Sequence, residues 1–284
     1  PAALEVAQDR LTEKEFFRSL GIPTPPFAAV DTREALEEVV AALGLPAVLK
    51  TRRFGYDGKG QAVLRKAEDV ELAWKELGPA GALILEGFVP FEREVSIIAA
   101  RGRDGATVFY PVVQNEHPGG ILGRTLAPAP DLTEAQQQAA EQYARAILER
   151  LDYVGVLALE LFQCGGELVA NEMAPRVHNS GHWTIEGSET RQFENHVRAV
   201  AGLPLGATGM VGTAAMLNLI GSTPAPEAVL RIPGAHLHLY GKSAAPGRKL
   251  GHITVRARTP RERDTAVDEL RPLITATRRL QNGG

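Results

Sequence analysis

The sequence lacks several features that mark particular classes of protein. It has one cysteine, Cys164, among 284 residues, which excludes an intramolecular disulfide framework and indicates a reducing compartment. No apolar run approaches the roughly 20 residues of a membrane span, and no signal peptide pattern is visible. Because the net charge is −3, no basic field favours nucleic acid or an anionic membrane. We therefore expect a cytoplasmic enzyme or binding protein that binds neither nucleic acid nor a membrane.

The chain does have the composition of an ordinary folded protein, with 44% hydrophobic and 23% charged residues, so a sizeable core can form. Its apolar patterns and turn residues predict strands at 27–30, 47–50, 62–64, 82–89, 93–101, 106–115, 154–162, 168–173 and 212–220, with short strands after 235. They predict helices at 3–20, 32–43, 69–77, 133–150, 188–200 and 260–273. No strand precedes the first helix, so we expect that sequence upstream of this chain is missing.

Two glutamates lie on the arms of a predicted hairpin, between which Gly165 and Gly166 supply turn residues that adopt positive φ. A short loop centred on Gly166 would place Glu160 opposite Glu172. Like charges facing each other near a sheet core need a proton or a cation, and Mg²⁺ prefers oxygen ligands. The pattern is consistent with a magnesium site. It is equally consistent with one glutamate facing solvent, or with a register shifted by one residue.

A lysine and a glycine-rich loop form a second signal. Lys50 ends an apolar strand, and the loop 55–61 contains Gly55, Gly58 and Gly60, whose backbone amides could approach a phosphate. The loop is not a P-loop, because no Gly-Lys-Ser/Thr opens a helix; it joins two strands instead. A phosphate-binding flap and a plain hairpin turn both remain open.

Weaker signals lie elsewhere along the chain. The segment Glu86–Val89 closes a strand, so its backbone could bond an adenine edge, with Glu94 on the ribose; a plain strand end is the alternative. The basic loop with Lys242, Arg248 and Lys249 predicts either a phosphate contact or a solvated surface loop.

A dense polar loop follows the acidic strand. Arg176, His178 and Asn179 carry donors that suit an oxyanion, although a solvated surface loop has the same composition. A zinc site at His178 and His182 would lack the third and fourth ligands that zinc requires.

The order of these signals resembles the ATP-grasp superfamily, in which two α+β lobes hold ATP between them. The segments "QDRLTEK", "KTRRFGYDGKGQ", "TVFYPVVQNEH", "YVGVLALELF", "NEMAPRVHNSGHWT" and "PGRKLGH" resemble the N5-carboxyaminoimidazole ribonucleotide synthetase family, the ATPase subunit of phosphoribosylaminoimidazole carboxylase. The similarity covers nearly the whole chain.

The resemblance implies an α+β fold, with a helix and linker at 1–23, a small ATP-grasp lobe at 24–85, a large lobe with the magnesium site at 86–220, and a small β-rich C-terminal domain at 221–284. A Rossmann-like N-terminal domain of the family is expected to be absent from this chain.

The resemblance also implies roles for individual residues. ATP would contact Arg10, Lys50, Gly55, Tyr56, Asp57, Gly58, Lys59, Gly60, Gln61, Glu86, Gly87, Phe88, Val89, Glu94, His117, Asn171 and Glu172. Magnesium would bind Glu160 and Glu172. Catalytic roles would fall to Tyr56, Asp57, Lys59 and Arg176, and substrate contacts to Arg176, His178, Asn179, Lys242, Arg248 and Lys249.

The implied activity is ATP-dependent carboxylation of 5-aminoimidazole ribonucleotide with bicarbonate, in purine biosynthesis, with ATP and Mg²⁺ as cofactors. A homodimer is the implied assembly. Two alternatives remain open: another ATP-grasp ligase, such as the formate-dependent glycinamide ribonucleotide transformylase or biotin carboxylase, and a non-catalytic ATP-binding module.

Overall fold

Two antiparallel sheets organise the computed structural model, which describes residues 2–55 and 59–282, with side chains to residue 275. The strands are β1 (Phe27–Val30), β2 (Ala47–Thr51), β3 (Gln61–Leu64), β4 (Leu83–Gly87), β5 (Arg93–Arg101), β6 (Thr107–Phe109), β7 (Val113–Glu116), β8 (Arg124–Ala127), β9 (Gly155–Cys164), β10 (Glu167–Ala174), β11 (Thr213–Ile220), β12 (Ala235–Leu239) and β13 (Lys249–Ala257). The helices are α1 (Ala2–Ala7), α2 (Arg10–Ser19), α3 (Arg33–Leu43), α4 (Glu68–Leu77), α5 (Glu134–Arg150), α6 (Thr184–Gly187), α7 (Gln192–Ala201), α8 (Pro226–Leu230) and α9 (Pro260–Asn282). This is the α+β fold with a small and a large lobe that the sequence predicts.

The small lobe contains the sheet β1-β4-β2-β3, with α3 and α4 packed against it. Thr32 caps α3 with its side chain and Gly44 follows its last residue. The lobe's core includes Leu36, Leu49 and Leu85, all with no exposed surface. Packing of this core holds β2 and β4 side by side, which brings Lys50 and Glu86 together.

The large sheet has the order β10-β9-β5-β7-β8-β11-β13-β12, with β6 paired to β5. The helix α5 covers one face, where Ile147 and Leu148 pack with Ile97 and Leu159 in a fully buried cluster. Strand β11 pairs with β8 on one side and β13 on the other. The C-terminal strands therefore continue the sheet of the large lobe. The division at residues 220 and 221 stays a prediction.

The structure corrects several predicted boundaries. The helix expected at 3–20 is broken, because Asp9 adopts an extended conformation and its side chain accepts hydrogen bonds from the amides of Leu11 and Thr12 at the start of α2. The strand expected at 106–115 is interrupted at Tyr110, whose ring is buried and whose hydroxyl donates to the Thr190 carbonyl oxygen. Strand β8 and helices α6 and α8 were not predicted.

Among the helices of the described part, none is both long enough and apolar enough to cross a bilayer.

Candidate active site

The two glutamates of the hairpin face each other, which is one of the arrangements that the sequence left open, but the reason differs from the expected one. Gly165 and Gly166 both have positive φ, 56° and 88°, and form a two-residue turn that pairs Cys164 with Glu167. That register would place Glu160 opposite Asn171. A β-bulge between Ala170 and Glu172 shifts the pairing by one residue, so Glu160 faces Glu172. The expected loop centred on Gly166 was wrong; the bulge creates the carboxylate pair.

Each carboxylate has a separate cationic or hydrogen-bonding partner. Arg10 lies 2.9 Å from the Oε2 atom of Glu172, and His178 Nε2 lies 3.0 Å from the Oε1 atom of Glu160. Burial opposes ionisation of Glu172, but Arg10, Lys50 and His178 outweigh burial and lower the pKa of that carboxyl below its usual value. Glu172 is therefore held charged in this cleft, where its side chain is 39% exposed.

A buried ion-pair cluster holds the side chain of Lys50. Glu86 Oε2 lies 3.0 Å from Lys50 Nζ and 3.4 Å from Lys14 Nζ. Burial raises the pKa of Glu86, but the two lysines and Arg10 more than offset it and lower that pKa overall. Sequence reasoning missed Lys14. The feature that could have indicated Lys14 is its place next to Glu13 in the "LTEKEFF" helix, at a position where a buried residue is ordinarily apolar.

The glycine loop joins β2 to β3, as expected, with Lys50 paired to Gln61. Gly60 has φ +72°, and a Cβ there would lie 2.7 Å from Thr51 Oγ1, so the turn requires glycine. A Cβ on Gly55 would approach the Arg10 guanidinium at 3.1 Å. The loop residues predicted to contact nucleotide and acceptor, Tyr56, Asp57 and Gly58, lie outside the described residues, and Lys59 follows them.

The predicted adenine segment has a more specific arrangement. The amides of Gly87 and Phe88 donate to the carbonyl oxygens of Pro26 and Pro46, at 2.8 and 3.1 Å. The Glu86 side chain is directed to the two lysines, so a base would meet backbone atoms of this segment or the side chain of Phe88, which is 38% exposed. The adenine role of Gly87, Phe88 and Val89 stays a prediction.

Glu94 and His117 act as one unit beside this segment. Their side chains lie 2.7 Å apart. Burial lowers the pKa of His117, whereas the carboxylate of Glu94 raises it, and the net shift is upward. A carboxylate held by a histidine in this position is suited to accept hydrogen bonds from ribose hydroxyls.

The polar loop that contains Arg176, His178 and Asn179 is anchored at its base. His178 N donates to the Gln192 side chain at 2.9 Å, and His178 Nδ1 lies 2.8 Å from Ser180 Oγ. Arg176 is exposed, and Asn179 Nδ2 is buried without a hydrogen-bond partner among the described residues. Because Gln192 fixes this loop from helix α7, His178 is directed at Glu160.

The basic residues of the tail divide into two groups. Lys249 begins β13 and lines the same cavity as Glu160 and Glu172. Lys242 and Arg248 lie in the exposed loop between β12 and β13, where Lys242 Nζ lies 5.4 Å from the centre of the Tyr240 ring and Arg248 donates to Ser243. In this structure only Lys249 of the three lines the cavity; the phosphate role of all three stays a prediction.

One cavity of about 330 Å³ collects most of the predicted residues, and its size suits a small-molecule ligand. It is lined by Arg10, Lys50, Gly55, Gln61, Glu94, His117, Gly120, Leu122, Glu160, Asn171, Glu172, Arg176, His178, Asn179 and Lys249. Segments separated by more than 200 residues in sequence thus converge on a polar cleft between cationic and carboxylate groups.

The donor set fits magnesium better than zinc. Glu160 and Glu172 present carboxylate oxygens side by side, and the buried Asn171 Oδ1 lacks a hydrogen-bond partner within the described chain. Oxygen donors of this kind suit Mg²⁺, which keeps water and substrate phosphates as its other ligands. No group of three or more histidine, cysteine, aspartate or glutamate residues with metal-binding geometry occurs in the described part, and His182 Nδ1 is taken by Gln192 at 3.1 Å.

The fold and the site define the class of this protein. The family model of the ATP-grasp domain matches residues 15–193, more than half of the chain, and contains the lysine, the glycine loop and both glutamates. A second family model, the phosphoribosylaminoimidazole carboxylase C-terminal domain, matches residues 214–265. The chain is an ATP-grasp protein.

Similar proteins narrow the assignment. The N5-carboxyaminoimidazole ribonucleotide synthase of Pseudomonas aeruginosa is 54% identical over 274 residues, 96% of this chain and 75% of that protein. The Thermus thermophilus synthetase structure is 60% identical, with a TM-score of 0.91 over 95% of this chain and 73% of that chain. The Aspergillus clavatus enzyme, solved with ADP and 5-aminoimidazole ribonucleotide, is 33% identical, with a TM-score of 0.89 over 96% of this chain and 74% of that chain. The chain belongs to the N5-carboxyaminoimidazole ribonucleotide synthase family of ATP-dependent ligases.

Proposed function

We propose that this chain carboxylates 5-aminoimidazole ribonucleotide with bicarbonate and ATP, releasing N5-carboxyaminoimidazole ribonucleotide, ADP and phosphate in purine biosynthesis. The observation that carries the proposal is the convergence of Lys50, the Glu160–Glu172 pair and the Arg176/His178 loop on one cleft. Similarity to enzymes of that name and to the Aspergillus clavatus ligand complex supports it.

The chemistry has two steps that this arrangement suits. A bicarbonate oxygen attacks the γ-phosphorus of ATP, the bond to the bridging oxygen of ADP breaks, and carboxyphosphate forms. The exocyclic amine then attacks the carboxyl carbon, either of carboxyphosphate or of CO2 released from it in place. When carboxyphosphate is attacked, the bond between its carboxyl carbon and the phosphate oxygen breaks, phosphate leaves with the electron pair, and the amine loses a proton. Phosphoryl transfer depends chiefly on positioning and charge neutralisation.

Each part of the cleft has a role in that scheme. Lys50, held by Glu86, would contact the phosphates of ATP. Arg176, His178 and Asn179 provide donors for bicarbonate or carboxyphosphate. Glu160 and Glu172 would hold Mg²⁺, which when bound neutralises phosphate charge. Asp57 is proposed to orient the amine or accept its proton, and loop closure would exclude water from the anhydride.

The remaining assignments are also part of the proposal. Lys249, with Lys242 and Arg248, would hold the 5′-phosphate of the ribonucleotide. Glu86–Val89 would contact adenine and Glu94 the ribose. A homodimer, proposed from the family resemblance, is tested by light scattering coupled to size-exclusion chromatography; a monomeric mass at micromolar concentration would rule it out.

The test is ADP and phosphate release from ATP with defined acceptors. The expected result is release that requires both 5-aminoimidazole ribonucleotide and bicarbonate, with N5-carboxyaminoimidazole ribonucleotide detected as product. Formate with glycinamide ribonucleotide is the matched control and should give background rates. Stimulation by that pair would indicate the transformylase activity instead, and ATP binding without stimulated turnover would indicate a non-catalytic module.

A further inference from the structure

Strand β10, which carries Glu172, is the edge strand of the large sheet. One row of backbone N–H and C=O groups on an edge strand has no partner within the sheet, and the bulge at Asn171 adds unpaired groups of its own. Glu172 faces Glu160 only because of that bulge, since a shift of one residue would turn its side chain to the opposite face. Whatever stabilises the bulge therefore determines whether the carboxylate pair exists.

Two consecutive residues of α2 bond the backbone on both sides of Glu172. Lys14 Nζ donates to the carbonyl oxygen of Asn171 at 2.6 Å and to that of Ala170 at 3.3 Å. Glu13 Oε1 accepts from the amide of Met173 at 2.8 Å. Both side chains are about 1% exposed, so neither bond competes with bulk water.

The same helix also bonds the Glu172 side chain. Arg10, three and four residues before Glu13 and Lys14, donates to Glu172 Oε2 at 2.9 Å. Residues with this spacing lie on one face of a helix. One helix face thus bonds the backbone before Glu172, the side chain of Glu172 and the backbone after Glu172. Lys14 also contacts Glu86, 3.4 Å away, and through it is linked to Lys50.

We infer that Glu13 and Lys14 are positioning residues that hold the bulge and thereby keep Glu172 opposite Glu160, ready for a divalent cation. The inference rests on the proposed function, because it assumes that the two glutamates bind the metal that accompanies the nucleotide. Neither residue lines the cavity of about 330 Å³; both bond the backbone of β10. Loss of such supporting hydrogen bonds elsewhere weakens metal binding by about 10- to 100-fold.

The decisive experiment compares Glu13→Leu with Glu13→Gln. The glutamine amide oxygen can still accept from the Met173 amide, whereas leucine cannot. Mn²⁺ affinity is measured by calorimetric titration of the ADP-saturated protein, and the affinity for ADP without metal is measured separately. We expect Glu13→Leu to weaken Mn²⁺ binding by about tenfold or more, with metal-free ADP binding within about twofold of wild type. Glu13→Gln should retain wild-type Mn²⁺ affinity.

Lys14→Met is the second variant, and it should weaken Mn²⁺ binding in the same direction. Because removing a buried cation can unfold the chain, the Glu13 pair decides the question if Lys14→Met does not fold. The matched control is Asn195→Ala in α7, which removes buried hydrogen bonds to Tyr110 and the Gly206 backbone. It should lower the melting temperature without changing Mn²⁺ affinity.

The outcomes separate the inference from the proposed function. Wild-type Mn²⁺ affinity in Glu13→Leu, with only a lower melting temperature, would show a purely structural role and overturn the inference. Equal weakening in Asn195→Ala would overturn it too, because the effect would then follow general destabilisation. Failure of the wild-type ADP complex to bind Mn²⁺ would refute the proposed metal site itself, and the inference with it.

Discussion

Replacing Glu86 with glutamine separates two roles for that residue. The resemblance predicts an adenine contact, whereas the structure places the Glu86 side chain, 3% exposed, between Lys50 at 3.0 Å and Lys14 at 3.4 Å. If the side chain were only a nucleotide contact, Glu86→Gln would leave the stability of the nucleotide-free protein unchanged. If it is the counter-ion of two buried lysines, the variant leaves both cations without it.

The expected loss follows from that geometry. Breaking a buried ion pair by neutralising one partner costs about 3–5 kcal/mol. Unfolding entropy near 2.1 cal/mol/K per residue, over 284 residues, makes each kcal/mol worth about 1.7 °C in melting temperature. We therefore expect Glu86→Gln to melt about 5–8 °C below wild type in the absence of nucleotide.

Thermal unfolding of the nucleotide-free protein followed by circular dichroism measures this difference. Glu94→Gln is the control, since it makes the same chemical change at a carboxylate that is 25% exposed and lies beside His117. This variant should lose less than about 1 kcal/mol of unfolding free energy. A melting temperature for Glu86→Gln within about 2 °C of wild type would refute the counter-ion role and favour a nucleotide contact for the Glu86 side chain.

Three further predictions concern the metal, the substrate and pH. Glu172→Ala should reduce magnesium-dependent ATP turnover by at least about 100-fold with an unchanged circular dichroism spectrum; wild-type turnover would exclude the metal role. Lys249→Ala should raise the KM for the ribonucleotide by roughly 10- to 100-fold, as expected for a lost charge-assisted hydrogen bond, and leave the KM for ATP nearly unchanged; equal effects on both would remove the phosphate role. Burial and neighbouring histidines lower the pKa of His182 to about 4 and that of His252 to about 3. Unfolding raises both pKa values, so the free energy of unfolding should fall as pH drops from about 6.5 toward 4. In urea titrations, His252→Gln should reduce the pH dependence of that free energy by about 1.4 kcal/mol per pH unit. An unchanged pH dependence would contradict the lowered pKa of His252.

The histidine prediction depends on a cluster that has no local sequence signal. The rings of His182 and His238 lie 5.0 and 4.4 Å from that of His252, and the Tyr240 hydroxyl lies 2.7 Å from His252 Nδ1. His236 and His238 alternate along β12, and only the pairing of β12 with β13 brings His238 beside His252.

Local chemistry explains what the sequence predicted well. Thr32 and Gly44 bound a helix, Gly165-Gly166 make a tight turn, and Gly60 permits a loop backbone that a side chain would obstruct. Each effect acts within a few residues, so it is readable without knowing the fold. The same holds for the identity of the family, because its motifs are contiguous segments.

The sequence by itself determined the hairpin, because its apolar runs and turn residues are local, and its family motifs implied the two lobes and the residues that face the cleft. Only the tertiary structure decided how the two glutamates meet. The turn alone would pair Glu160 with Asn171; the bulge corrects this, and it is bonded by Glu13 and Lys14 from a helix about 160 residues earlier in the chain. Contacts over such separations depend on how the edge strand packs against that helix, which no local pattern encodes.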